Sequence, residues 1–186
     1  TTDRVSLSFI PYSSHVNVGE DIYNQLNTND LHSYSHCVDF PTSAYETTEI
    51  NTSLQLQQAQ HYQWNTAYDT NGNLIPLVEE PICPMFGFEE IIPLSQNTTV
   101  LKGAIAQLEP RGGTAIFMGL KWGVALLDPT IRTVISNLSN PVDSAFAGRP
   151  VEYADENDPS GTLKYVVLMT DGQNSSNRRL RDFAYD

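Results

Sequence analysis

A chain of 186 residues with a net charge of −12 lacks the clustered Lys and Arg that a phosphate backbone demands, which excludes nucleic acid as an expected partner. Its length fits one domain able to bury a sizeable core, and no apolar run approaches the roughly 18 residues of a membrane span. Hydrophobic residues make up 40% and charged residues only 17%, so the surface must lean on Asn, Gln, Ser and Thr.

The first predicted strand is "RVSLSFIPYSS" at 4–14, with Val5, Leu7 and Phe9 on one face and Pro11 ending it. Residues 15–93 read as a long polar elaboration. Asn71-Gly72, between short apolar runs, signals a hairpin rather than a calcium loop, since the glycine of "DTNGN" falls at the fourth place. Cys37 and Cys83 are the two cysteines. They fit one disulfide in an oxidising compartment or two separate buried thiols; the polarity of the segment between them favours the bridge, worth roughly 4 kcal/mol in the chain-entropy account. His32 and His36 stand one helical turn apart beside Cys37, so a zinc site formed with Cys83 is the competing reading, although no C-x₂-C accompanies it.

Helical periodicity returns at "TTVLKGAIAQL", 98–108, with Thr98 or Thr99 as its cap and Val100, Leu101, Ala104, Ile105 and Leu108 as its apolar positions. A second helix spans 114–127, with Thr114 as N-cap and Ile116, Leu120, Val124 and Leu127 as its stripe. Residues 139–162 form an acidic insertion. The run Tyr165 to Met169 has no alternation, as in a central parallel strand covered on both faces, and it stops at Thr170-Asp171-Gly172. The basic knot Arg178-Arg179-Arg181 reads as a solvated helix start. No Ser/His/Asp or paired-carboxylate arrangement stands out, and the expectation is a protein that is not an enzyme.

"LEPRGGTAIFMGLKWGVALLDP" followed by "YVVLMTDGQN" resembles the von Willebrand factor type A (VWA) domain. The fuller layout, "IPYSSHVNVG", "IIPLSQNTTVLKGAIAQL" and "GGTAIFMGLKWGVALLDP", is similar to the C-terminal region of TadG-like proteins of the tight-adherence (Flp/Tad) pilus machinery. The resemblance implies an α/β, three-layer Rossmann-like fold with a mostly parallel sheet. The domain, 1–186 with insertions at 15–93 and 139–162, would be partial, lacking the first strand and the last two. It implies that Thr114 and Asp171 match two ligand positions of a metal-ion-dependent adhesion site (MIDAS). The D-x-S-x-S part of that site would lie outside this chain, so Mg²⁺ or Ca²⁺ would belong to the full-length domain. Asp128, Asp143, Asp155 and Asp158 sit in ordinary loop contexts and do not replace it.

The function so implied is protein–protein contact in pilus assembly or surface adherence. It would take place on the periplasmic or surface side of a bacterial envelope, with any membrane anchor outside these residues. A metal-dependent hydrolase or zinc protein using His32, His36, Cys37 and Cys83 is one alternative; a cytoplasmic type A module of the chelatase kind is another. Because the family's missing strand separates 4–10 from 164–169, each should present an open edge. They would then pair directly, pair with a second copy, or be completed within a larger protein, the last being favoured by the abrupt limits of the chain.

Overall fold

The structure, a computed structural model, describes residues 4–63, 68–74, 78–139, 143–155, 157 and 162–175. In chain order the strands are β1 (Leu7–Phe9), β2 (Thr28–Asn29), β3 (Val38–Asp39), β4 (Leu56–Gln58) and β5 (Ile92–Ser95). The helices are α1 (Gly19–Tyr23), α2 (Thr98–Gln107), α3 (Ile116–Ala125) and α4 (Arg132–Ser136). Among the described residues no helix is long and apolar enough to cross a membrane.

Among the described residues the expected Rossmann-like sheet is absent. β1 pairs only with β5, antiparallel, and β2-β4-β3 form a small mixed sheet whose one parallel pairing, β2 with β4, runs for two residues. The reason is visible at 164–169. Among the described residues, 164–169 join no ladder, neither with β1 nor with any other strand, so no parallel sheet grows from them. Instead, residues 15–93, read from sequence as an elaboration, supply half of the main core. Val16, Val18, Ile22, Phe40, Leu56 and Ile91 pack in one cluster with Met118, Trp122 and Ala125 of α3.

β1 and β5 meet with a bulge, Leu7 opposite Ser95 and Phe9 opposite Ile92. Leu94 takes a φ of 44°, and its N–H turns to the Ser8 hydroxyl at 3.0 Å. The Asn71-Gly72 turn is a hairpin, as expected. Tyr68 bridges Leu74, Gly72 has a φ of 80°, and Asp69 accepts from the backbone of Asn71 and Asn73 at 2.8 Å each.

α2 begins at Thr98, but its cap is Asn97, whose side chain accepts from Thr99 and Val100. Leu101 and Ala104 are its buried residues, while Val100, Ile105 and Leu108 stay exposed. α3 turns a different face inward from the one read in the sequence: Met118, Trp122 and Ala125 are buried, and Leu120 is exposed. Both series keep helical spacing. In a helix apolar on nearly every side, periodicity alone cannot choose between them.

Cys37 and Cys83 form a disulfide with Cα atoms 5.8 Å apart. Its neighbours are stitched to the core by the buried side chain of Asn17. The Asn17 Oδ1 accepts from His36 N at 3.3 Å and Gly19 N at 3.0 Å, and Nδ2 donates to the Pro84 carbonyl at 2.8 Å. The Cys37 carbonyl in turn accepts from Ala59 N. Replacing both cysteines by Ala should cost about 4 kcal/mol in denaturant unfolding, given a loop separation of 46 residues. Asn17→Leu should cost about 2–3 kcal/mol, because it strands buried backbone groups on three segments. Losses below about 1 kcal/mol for both would show that this knot does not hold the fold.

Candidate functional site

Three loops converge at the start of α3. The Ser14 hydroxyl accepts from Gly113 N at 2.8 Å, and Ala115 N donates to the Ser13 carbonyl at 2.7 Å. From the other side, the Ser175 hydroxyl accepts from Thr114 N at 2.6 Å, and Ser175 N donates to the Thr114 carbonyl at 3.0 Å. Asn174 Oδ1 accepts from Ile116 N at 3.0 Å. The glycine pair is required by this crowding. Gly112 has a φ of 61°, and a Cβ on Gly113 would lie 2.7 Å from the Ser175 hydroxyl.

Thr114 is therefore not the N-cap. The N-cap position is Ala115, which has no capping side chain; its own N–H goes to the Ser13 carbonyl, and the first helical N–H, that of Ile116, goes to Asn174, 58 positions downstream. The Thr114 and 170–175 loops are neighbours, as the sequence pattern implied. Asp171, however, is exposed and makes no side-chain hydrogen bond among the described residues.

One hydroxyl and one carboxylate do not satisfy a divalent ion that takes six or more oxygens. Among the described residues no group of three His, Cys, Asp or Glu could hold a metal. Ser14 and Ser175 are already engaged by backbone N–H groups, and Asp128, Asp143 and Asp155 are engaged elsewhere. Asp158 and the 178–181 basic knot lie outside the described residues. The described residues thus do not fit a bound divalent ion. Nor do they fit zinc: Cys37 and Cys83 carry no thiolate, and His32 Nε2 is taken by the Ala59 carbonyl at 2.9 Å.

The most exposed apolar feature adjoins these loops. Tyr165, Val167 and Met169 are 74%, 82% and 79% exposed, while Val166 and Leu168 between them are 43% and 44% exposed. The segment is pinned at its two ends. Near its start, Lys164 Nζ donates to the Leu127 carbonyl at 2.7 Å and the Val151 carbonyl at 2.5 Å, and lies 4.0 Å from the Tyr153 ring centre. At its end, the Tyr12 hydroxyl donates to the Met169 carbonyl at 2.9 Å. Tyr12 itself fills the space that Gly119 leaves on α3, and Val166 lies over Gly123 one turn on.

Beneath Lys164 sits Asp128, a buried carboxylate that accepts from Thr48, Thr130 and Tyr153 hydroxyls and from Thr130 N. Burial pushes its pKa up, and the hydrogen bonds from Thr48, Thr130 and Tyr153 outweigh that, bringing it to about 2. Lys121 of α3 is also buried, donating to the Thr47 and Glu49 carbonyls, and desolvation lowers its pKa against the pull of Glu49 and Asp128. The sequence reading missed Tyr12, Lys164, Asn174 and Ser175. Their one legible signal was polar residues flanking apolar runs.

Comparison with protein-family models, curated proteins and solved structures found no match to this chain.

Two pH effects follow. Desolvation lowers the pKa of His36 and His61 below 6.5, so the unfolded chain binds more protons there, and stability is lost as pH falls through and below about 6.5. Asp128, depressed from 3.8 to about 2, contributes stability above 3.8 that disappears as pH falls toward 2. Denaturation midpoints measured from pH 8 to 2 should therefore fall in two stages, and Asp128→Asn should flatten the lower one. Calorimetry with Mg²⁺ should give a dissociation constant no tighter than about millimolar. A micromolar site abolished by Asp171→Ala would contradict the ligand count.

Proposed function

We propose that the chain is a non-enzymatic protein-interaction domain of a TadG-like envelope protein, acting in pilus assembly or surface adherence on the oxidising side of a bacterial membrane. The observation that carries the interaction reading is the uncovered row Tyr165, Val167 and Met169. Burying each of these side chains would stabilise a complex by about 1.5–3 kcal/mol, and contiguous exposed apolar surface of this kind marks contact sites. The Cys37–Cys83 disulfide supports an oxidising compartment and weighs against the cytoplasmic chelatase-type alternative. It also removes the thiolates on which the zinc-protein alternative depended. The quoted "IPYSSHVNVG" and "GGTAIFMGLKWGVALLDP" stretches support the TadG-like assignment.

The test is a photo-crosslinking residue placed at Val167 of the parent protein in its own cells, with Lys102 on the exposed side of α2 as control. A discrete crosslinked protein from position 167 and none from 102 is expected. Equal yields from both positions, or none from 167, would contradict the reading.

A further inference from the structure

A small recess lies between the 79–89 stretch and the Arg111-Gly112 turn. We propose that it takes one basic residue of a partner polypeptide, with the backbone carbonyl of that residue on Arg111 Nε and its cationic side chain at Glu79 and Glu80. This rests on the interaction reading above only in taking the occupant to be a protein. The recess holds a donor without an acceptor: Arg111 lines it, and its Nε is buried with no hydrogen-bond partner among the described residues. The rest of the guanidinium is committed. Nη2 donates to Glu109 at 2.9 Å, and the group lies 4.7 Å from the centre of the Phe86 ring. Phe86 is itself stacked on Phe88, 5.4 Å away and 3° from parallel. Turning Nε out to water would sacrifice the ion pair and the ring contact, so an acceptor brought by a ligand gains more here than at a freely hydrated arginine.

Charge decides what carries that acceptor. Glu79, Glu80 and Glu89 line the recess against a single guanidinium, so a carboxylate or phosphate ligand is repelled and a neutral carbonyl is not. Glu89 is engaged within the chain, accepting from Phe86 N at 3.1 Å. Glu79 and Glu80 are exposed, and their backbone N–H groups both donate to Gln63 Oε1, at 2.9 and 3.2 Å. Those bonds place the two residues through their backbone, not through their carboxylates. Pro81, Pro84 and Phe86 supply an apolar wall, suited to the methylene stem of a lysine or arginine. The wall is pre-organised, since Cys83 is bridged to Cys37 and the Pro84 carbonyl accepts from Asn17 Nδ2 at 2.8 Å. The net charge of −12 adds long-range attraction for a basic partner.

The probe is N-acetyl-lysine methylamide, titrated against the full chain and followed by NMR at the Arg111 Nε–H. The norleucine methylamide, which keeps the stem and loses the charge, is the control. The lysine amide should move the Nε–H resonance with a dissociation constant of about millimolar, the scale open to so small a ligand. The norleucine amide should bind about threefold more weakly at low salt, and Glu79→Gln with Glu80→Gln should abolish that difference. Arg111→Lys, read at the Glu79 and Glu80 amides, should weaken both probes alike, because both use the same carbonyl. Equal binding of the two probes to the unaltered chain would overturn the inference. So would a lysine amide that shifts Glu79 and Glu80 and leaves Nε–H unmoved, since charge attraction alone would account for it. Failure of the lysine amide to bind while position 167 still crosslinks a protein would overturn the recess and spare the interaction reading. Binding with no crosslink from 167 would do the reverse.

Discussion

The amide of Asn17 and the disulfide it braces are the constraint on which the rest of the chain depends. His36 N and the Pro84 carbonyl, the two groups that Asn17 binds across the chain, belong to the residues directly beside Cys37 and Cys83. One buried side chain therefore fixes the bridge to the segment that joins β1 to α1. With that junction set, Val18 N reaches the His36 carbonyl and Ala59 N the Cys37 carbonyl, and the small β2-β4-β3 sheet is placed against α3. A second buried side chain, Gln58, holds the 31–35 loop through Leu31 N, His32 N, His32 O and Ser35 O. Segments that read as polar from sequence are ordered here by buried amides and one covalent link together with the apolar side chains they contribute to the main core.

The other end of the molecule follows the opposite logic. Tyr165 to Met169 is among the most apolar runs in the sequence, yet all five residues are exposed. Side chains hold it in place: Lys164 above the Asp128 cluster, Tyr12 across α3, and Ser175 and Asn174 at the start of that helix. These contacts fix the position of the segment without closing its ladder. Stability and availability are thereby separated, since the groups that position the segment are not the groups that a partner would use.

Reading the sequence captured local chemistry better than architecture. The Asn71-Gly72 hairpin and the helices near 98 and 116 were legible because turn preferences and periodicity act over short distances, and the Cys37–Cys83 pairing because two cysteines flank a polar segment. The nearness of the Thr114 and 170–175 loops was expected from a glycine-rich turn at a helix start and a polar turn ending an apolar run. Three things were not. The face that α3 turns inward was ambiguous because Ile116, Leu120 and Val124 are as periodic as Met118, Trp122 and Ala125. Asn174 caps α3 from far downstream while Ser175 holds Thr114 just before it, and no local rule signals a cap at that separation. The parallel sheet was inferred from the apolarity of 165–169, but apolarity reports only that a strand wants cover, not that this chain supplies it.

Amide hydrogen exchange on the isolated chain tests that last point most directly. If Tyr165 to Leu168 form an open strand edge, their amides should exchange close to the rate of an unstructured peptide while those of Trp122 to Ala125 in α3 are protected by orders of magnitude. Protection at 165–168 comparable to that of α3 would mean that the ladder is already closed, and the interaction surface described above would not exist.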